Sequence, residues 1–132
     1  MSVTNFTSAI AAVRARLLAT TNVPMVFDNG IINLTEKNQL HGRASISIGE
    51  GRLIQLGTRR WRYTGMLSIE LRASMESGDA ASSGACDIIM TAFRSQSADG
   101  VLYRVPTYLP AETRDGWYRS ILECPFEFDV SE

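Results

Sequence analysis

The clearest pattern in the sequence is a strict alternation of apolar and polar residues from Arg59 to Ala73. The apolar side carries Trp61, Tyr63, Leu67, Ile69 and Leu71. The polar side carries Arg60, Arg62, Thr64, Ser68, Glu70 and Arg72, and Met66 is its one apolar exception. A period of two indicates a β-strand, because successive side chains point to opposite faces. The pattern predicts a long central strand with one covered face. Gly65 interrupts the apolar side, which predicts a bend or a closely packed helix.

Near the N-terminus, apolar residues recur at the spacing of an α-helix. Phe6, Ile10, Val13 and Leu17 recur at spacings of four, three and four, which predicts a helix from about Asn5 to Ala19. Its cap would be Thr4 or Asn5, and its end the stretch Thr20-Thr21-Asn22 before Pro24.

A second helix is predicted from about Asp79 to Ser95, with Ser77 or Asp79 as its cap. The residues expected on its apolar stripe are Ala81, Ala85, Ile88, Ala92 and Phe93. The small residues Ala81, Gly84 and Ala85 would let this helix approach the sheet closely.

Shorter patterns complete the set of strands. The extended elements expected are Pro24–Gly30 ending in an Asn-Gly turn, Arg43–Gly49 with Ala44, Ile46 and Ile48 inward, Val101–Val105, and Trp117–Val130. The last strand would bury Tyr118, Leu122, Cys124, Phe126 and Phe128, and expose Arg119, Glu123, Glu127 and Asp129. Pro125 predicts an edge position or a bulge for this strand. Ile31–Leu40 and Pro106–Gly116 are predicted loops.

This order of elements predicts one α+β domain over residues 1–132, with a mixed, mainly antiparallel sheet and both helices on one face. A chain of 132 residues with 45% apolar content can bury one sizeable core. The net charge of −1 gives no bulk attraction to nucleic acid or to membranes. No segment has the length or the character of a signal peptide or a membrane span, so we expect a cytoplasmic protein.

Candidate chemistry is sparse. Cys86 and Cys124 each sit in an apolar run and are expected to be buried, reduced thiols. His41 is the only histidine and is interpreted as a surface loop residue, because no neighbouring His, Cys, Asp or Glu cluster completes a site. The sequence contains no phosphate-loop or nucleophile-elbow spacing. We therefore expect no enzyme activity, no metal and no cofactor.

The hairpin Gly49–Thr58 carries an apolar group, Leu53, Ile54 and Leu56, between glycines. Two interpretations stay equally open: the group folds back on the domain, or it is a contact surface. Arg52, Arg59, Arg60 and Arg62 gather near one end of the sheet, and Glu123, Glu127, Asp129 and Glu132 near the C-terminus. We therefore expect opposite charges on separate surfaces of the chain, which favour head-to-tail contacts between copies and a closed ring if the rotation permits.

Nucleic-acid binding is the main alternative, because the run RRWRY at residues 59–63 interleaves arginines with aromatic residues. The alternation argues against it, since Trp61 and Tyr63 share the apolar side while the arginines point away. The acidic last strand also weakens a nucleic-acid footprint.

The order of these elements resembles that of the tail terminator (tail completion) proteins of long-tailed bacteriophages, in particular a phage-related domain family placed with them. The resemblance covers nearly the whole chain through its pattern. Its most suggestive pieces are Arg62, Gly65 and Leu67 in an R-x-x-G-x-L spacing, and the aromatic C-terminal strand.

The resemblance implies a structural virion protein without catalytic residues. It would form a hexameric ring that caps the tail tube, stops its polymerisation and offers a head-joining surface. Its partners would be further copies of itself, the major tail protein and a head-completion protein, at the head-proximal end of the tail. The candidate interface residues are Arg52, Leu53, Ile54, Leu56, Arg59, Arg60, Arg62, Glu123 and Glu127. Another head–tail connector subunit of the same virion is a further alternative.

Overall fold

The computed structural model describes residues 5–27, 40–57, 59–74, 78–98, 100–114 and 116–131. The helices are α1 (Phe6–Thr20) and α2 (Gly78–Phe93). The strands are β1 (Met25–Phe27), β2 (His41–Gln55), β3 (Arg60–Ser74), β4 (Ser97–Ala98), β5 (Val101–Tyr103), β6 (Thr107–Arg114) and β7 (Trp117–Ser131).

The strands form one mixed sheet in the order β1-β2-β3-β7-β5-β4, and β6 also pairs with β7. Only the β1–β2 pair is parallel among the described strands. Both helices contribute their buried residues to a single core cluster on one face of this sheet. The predicted α+β class with two helices on one face is confirmed.

Strand β3 lies in the middle of the sheet, as its alternation predicted. Leu67, Ile69 and Leu71 are completely buried on its apolar side. Of the bend or close helix predicted at Gly65, the helix is wrong, because an aromatic ring fills the space above the glycine; the ladder does shift register at Ile48, its partner on β2. A Cβ at Gly65 would lie 2.4 Å from Cζ of Phe126, the residue directly opposite on β7. Glycine is needed there because an aromatic ring from the neighbouring strand covers its backbone.

Helix α1 begins at a capping box. Asn5 accepts a hydrogen bond from the backbone N–H of Ser8, and the Ser8 hydroxyl accepts one from the backbone N–H of Asn5. This satisfies two backbone donors, as expected for the predicted Asn5 cap. Its fully buried side chains are Ala9, Val13 and Leu17. Phe6 is instead 43% exposed, so the buried stripe is rotated towards Ala9 relative to the predicted one.

Helix α2 is also rotated relative to its predicted stripe. Its buried side chains include Ala85, Cys86, Ile89 and Phe93, whereas Ile88 is 56% exposed. Gly84 is exposed and contacts nothing within 4 Å at its Cβ position, so it does not mediate close approach to the sheet. The predicted cap residue Ser77 lies outside the described residues.

Two polar contacts fix the helices in place. The buried hydroxyls of Ser82 on α2 and Ser120 on β7 share a hydrogen bond of 2.7 Å. Arg16 on α1 donates to the carbonyl of Ala92 at the end of α2 at 3.0 and 2.6 Å, and to Gln96 at 2.6 Å. Arg16 thus satisfies a terminal helix carbonyl and joins the two helices.

Several predicted loops are strands. β2 begins at His41, which is 9% exposed and packs edge-to-face against Trp117 at 4.9 Å, so the surface-loop interpretation of this histidine is wrong. β6 occupies most of the segment predicted as the loop Pro106–Gly116. The prolines obscured its alternation, and pairing with β7 stabilises it. Residues 31–39 of the predicted loop Ile31–Leu40 lie outside the described residues.

Strand β7 is interior, so the edge position predicted from Pro125 is wrong, but the register on the β5–β6 side shifts by one residue beside Pro125, between Tyr103–Phe126 and Thr107–Glu123. It pairs with β3 without a register shift, and with β6 and β5 on its other side. The Pro125 carbonyl accepts a hydrogen bond from the backbone N–H of Arg104. The nitrogen of Pro125 therefore also faces the interval between β5 and β6, where no ladder bond to β3 is lost.

Candidate assembly surface

The β2–β3 hairpin ends in an exposed segment, which we call the hairpin arm: residues 49–57 of β2 and its turn, with the paired residues 60–63 of β3. Every residue from 49 to 57 is exposed. β2 continues to Gln55, so most of the predicted flexible hairpin Gly49–Thr58 is paired strand. Register shifts after Ile48 and Leu53 interrupt the ladder, as β-bulges do when they bend and twist a strand.

The apolar group of the hairpin arm does not fold back on the described part of the domain. Leu53 is 39% exposed, Ile54 38% and Leu56 83%. Aromatic packing marks the inner end of the arm, since Phe6 of α1 contacts Tyr63 at 4.6 Å and Phe128 at 5.7 Å. The arm therefore exposes apolar side chains that do not belong to the core cluster of the described residues.

The face of the sheet opposite the helices, which we call the open face, carries ion pairs across β3 and β7. Near the hairpin arm, Arg62 donates two hydrogen bonds to Asp129 at 2.9 and 3.1 Å, and Arg60 lies 3.2 Å from the same carboxylate. The hydrogen bond and charge of Arg62 lower the pKa of Asp129, and Asp129 raises the pKa of Arg62.

A second ion-pair cluster lies at the opposite end of the open face. Arg119 donates to Glu70 at 2.7 Å and to Glu112 at 3.1 Å, and Arg72 also donates to Glu70. Burial alone would raise the pKa of Glu70, but the hydrogen bonds from Arg119 and Arg72 outweigh it and lower that pKa.

The predicted separation of arginines and carboxylates onto different surfaces is wrong. Because β3 and β7 are antiparallel neighbours, Arg62 faces Asp129 directly, and both belong to the open face. Glu127 lies on the same face and pairs with Arg104 at 3.0 Å. These charges meet only because their strands are neighbours in the sheet. Their positions in the sequence therefore could not show that they share one face.

The predicted interface residues lie on the hairpin arm or on the open face, and Arg60 and Arg62 belong to both. Arg52, Leu53, Ile54, Leu56, Arg60 and Arg62 belong to the hairpin arm, and the exposed Arg59 immediately precedes β3. Glu123 and Glu127 lie on the open face. Sequence reasoning missed Arg104 and Arg119, whose charges depend on strand order for their partners.

The described residues contain no cluster of three or more His, Cys, Asp or Glu side chains that could hold a metal ion. A shallow depression of about 290 Å³ on the open face is lined by backbone and by side chains such as Met66, Pro125 and Arg104. Within the described part of the chain, no helix is long and apolar enough to cross a bilayer.

A scan against protein-family models finds no match, and neither does a search of curated proteins. Solved structures do resemble the fold. One of them, a protein that carries only a sequence identifier for a name, superposes with a TM-score of 0.68 at 14% sequence identity. The similarity covers 94% of this chain and 95% of that one. At this identity it establishes a shared α+β fold over the whole domain and nothing about function.

Proposed function

We propose that this protein is a structural virion subunit of a long-tailed bacteriophage. It caps the tail tube as a ring, ends tail polymerisation and provides the surface for head joining. Support comes from the resemblance of its sequence pattern to tail terminator proteins. The single structural observation that carries the proposal is the hairpin arm, whose apolar side chains Leu53, Ile54 and Leu56 are exposed.

The arm suits assembly because contact with another chain would bury the apolar side chains that the hairpin exposes. Leu56 is the clearest example, with 83% of its surface exposed at the turn. The proposed partners are further copies of the chain in a hexamer, the major tail protein and a head-completion protein. No membrane, nucleic acid or cofactor has a part in this proposal.

The nucleic-acid alternative receives less support from the open face. Arg60 and Arg62, the arginines of the RRWRY run that would meet phosphates, share the carboxylate of Asp129. A phosphate would have to compete with that carboxylate, and Glu127 lies beside it on the same strand. A different head–tail connector subunit could use the same arm for assembly. A terminator and a connector are therefore distinguished by the stage at which assembly fails in a variant.

Leu56→Asp tests the proposed function. We expect the variant to fold with an unchanged melting temperature, because Leu56 packs against little within the domain. It should fail to complement a phage that lacks the gene, since a charge at the turn would oppose burial against a partner. The readouts are plaque formation and tail length by electron microscopy.

Ile88→Asp is the matched control, because Ile88 is 56% exposed on α2, away from the arm. It should complement normally. Overlong or headless tails with Leu56→Asp alone would support the terminator proposal. Tails of normal length that join heads normally would contradict it, and tails of normal length without heads would favour a connector subunit.

A further inference from the structure

One carboxylate of the open face lacks the ion pair that its neighbours have. Glu70, Glu112, Glu127 and Asp129 each pair with an arginine of the same face. Glu123 forms no ion pair with any described residue. It is half-buried in the middle of β7, between the uncharged Ser68 on β3 and Thr107 on β6.

Apolar side chains surround this carboxylate on both sides along the strands. Met66 lies directly opposite Pro125, and Leu109 lies directly opposite Ile121. All four are half-buried, although no described element covers them. We call Glu123 together with these four residues the Glu123 patch. Further burial of this carboxylate would be costly unless a positive charge were supplied with the covering surface.

The hairpin arm offers the complementary chemistry. Arg52 is exposed and forms no ion pair within the described part of the chain. It lies directly opposite Arg62, whose own charge is compensated by Asp129. Leu53 and Ile54 follow Arg52 and are both more than one-third exposed. The arm also carries the exposed Glu50, two residues before Arg52, so the charge that complements the patch is that of the Arg52 side chain and not a net charge of the arm. The arm thus offers Arg52 beside apolar side chains, and the patch offers the uncompensated Glu123 beside apolar side chains.

The two surfaces cannot meet within one copy. Arg52 is aligned across the sheet with Arg62 and Asp129. Asp129 and Glu123 are six residues apart on the same strand, which corresponds to roughly 20 Å at the rise of a β-strand. An arginine side chain does not span that distance, so a contact between Arg52 and Glu123 requires a second copy.

We propose that the hairpin arm of one copy docks on the Glu123 patch of the next copy, with Arg52 paired to Glu123. Because the arm and the patch are different surfaces, the contact is head-to-tail and closes into a ring if the rotation permits. The inference rests on the proposed function in that a closed ring is the assembly it would build. It concerns only the contact between copies.

Charge reversal with rescue tests the contact. Sedimentation velocity of the purified chain over a range of concentrations should show self-association of the wild type. Arg52→Glu and Glu123→Arg should each weaken it about tenfold or more, because like charges would then meet at the contact. The double variant R52E/E123R should recover most of the wild-type association, since the pair is restored with its signs exchanged.

Arg94→Glu and Asp87→Arg are the matched controls, because both residues are exposed on or just after α2, away from the sheet face. Arg94→Glu changes the net charge by the same amount as Arg52→Glu, and Asp87→Arg by the same amount as Glu123→Arg. Both controls should leave self-association unchanged. A wild type that stays monomeric at every concentration overturns the inference, and so does a double variant that does not recover.

Cysteine cross-linking tests the head-to-tail geometry independently. R52C and E123C alone should give little disulfide-linked dimer under mild oxidation, whereas a mixture of the two should give a heterodimer. Cross-linking of either variant with itself as efficiently as in the mixture overturns the inference. Complementation by Leu56→Asp does not depend on these outcomes. The charge-reversal and cross-linking experiments could contradict the Arg52–Glu123 contact while Leu56→Asp still abolishes tail termination. In that case the inference would be wrong and the proposed function would stand.

Discussion

At the scale of single residues, burial and pairing determine which groups can react. Cys86 and Cys124 are buried, as their apolar settings predicted. Burial raises the pKa of Cys86 to about 11 and that of Cys124 to about 12. The thiolate is the reactive form, and the fraction of it at neutral pH is negligible for both side chains. Asp129 is the opposite case, a carboxylate whose charged form is stabilised by Arg62 and Arg60.

We predict that neither thiol reacts rapidly with a disulfide reagent in the native protein at pH 8, whereas both react at once in denaturant. Folded-state pKa values above the ordinary 9.0 also mean that stability should fall as pH rises through 9 towards 11, because the unfolded thiols ionise first. A colorimetric thiol titration with and without denaturant checks reactivity. Rapid labelling of both thiols in the native state would contradict the prediction.

Asp129 should make stability decrease in acid. Its folded-state pKa lies below the ordinary 3.8, so its contribution is present above pH 3.8 and is lost as pH falls through the folded-state value. Asp129→Asn should remove that part of the acid dependence and cost on the order of 1 kcal/mol or less at pH 7, since the pair is partly exposed. Urea unfolding at pH 7 and pH 3 measures both. Equal acid dependence in variant and wild type would contradict the assignment.

At the scale of elements, neighbouring strands decide what a position tolerates. Gly65 and Gly84 both interrupt apolar patterns, yet their surroundings are opposite. A Cβ at Gly65 would collide with the Phe126 ring, whereas one at Gly84 on α2 meets nothing within 4 Å. Replacing glycine by alanine should therefore change the free energy of unfolding in opposite directions at the two sites.

Gly65→Ala should lower the free energy of unfolding by about 1–3 kcal/mol through overpacking. Gly84→Ala, its matched control, should raise it by roughly 0.5–1 kcal/mol, because alanine suits an exposed helix interior. Denaturant unfolding of the two variants and the wild type gives both values. A neutral Gly65→Ala would show that Phe126 moves aside, and the proposed reason for this glycine would then be wrong.

At the scale of the whole molecule, charges of both signs share the open face, and this bears on the choice between assembly and nucleic-acid binding. We predict that the wild-type protein shows no tight, salt-sensitive affinity for single-stranded nucleic acid, because Asp129 and Glu127 lie among the arginines that would contact phosphates. Fluorescence anisotropy of labelled oligonucleotides at two salt concentrations is the measurement. Tight binding that weakens steeply with salt would favour the nucleic-acid alternative over the assembly proposal.

The sequence alone determined the faces of the strands and the presence of both helices. The alternation in β3 and β7 predicted which side of each strand is buried, because a period of two is a local property of the backbone. Leu67, Ile69, Leu122 and Phe126 all lie where that period places them. The Asn5 cap was predictable for the same reason, since its partner Ser8 is only three residues away.

Only the tertiary structure decided which elements meet. The pairing of Arg62 with Asp129 spans 67 residues, and the ring over Gly65 comes from Phe126 on another strand. The sheet surface also decides which side of each helix is buried. In α2 more than one side is apolar, so the sequence pattern alone does not select the buried one. His41 became buried because β2 starts earlier than its alternation indicates and pairs with the far end of β3. These features depend on register between distant segments, which local periodicity does not encode.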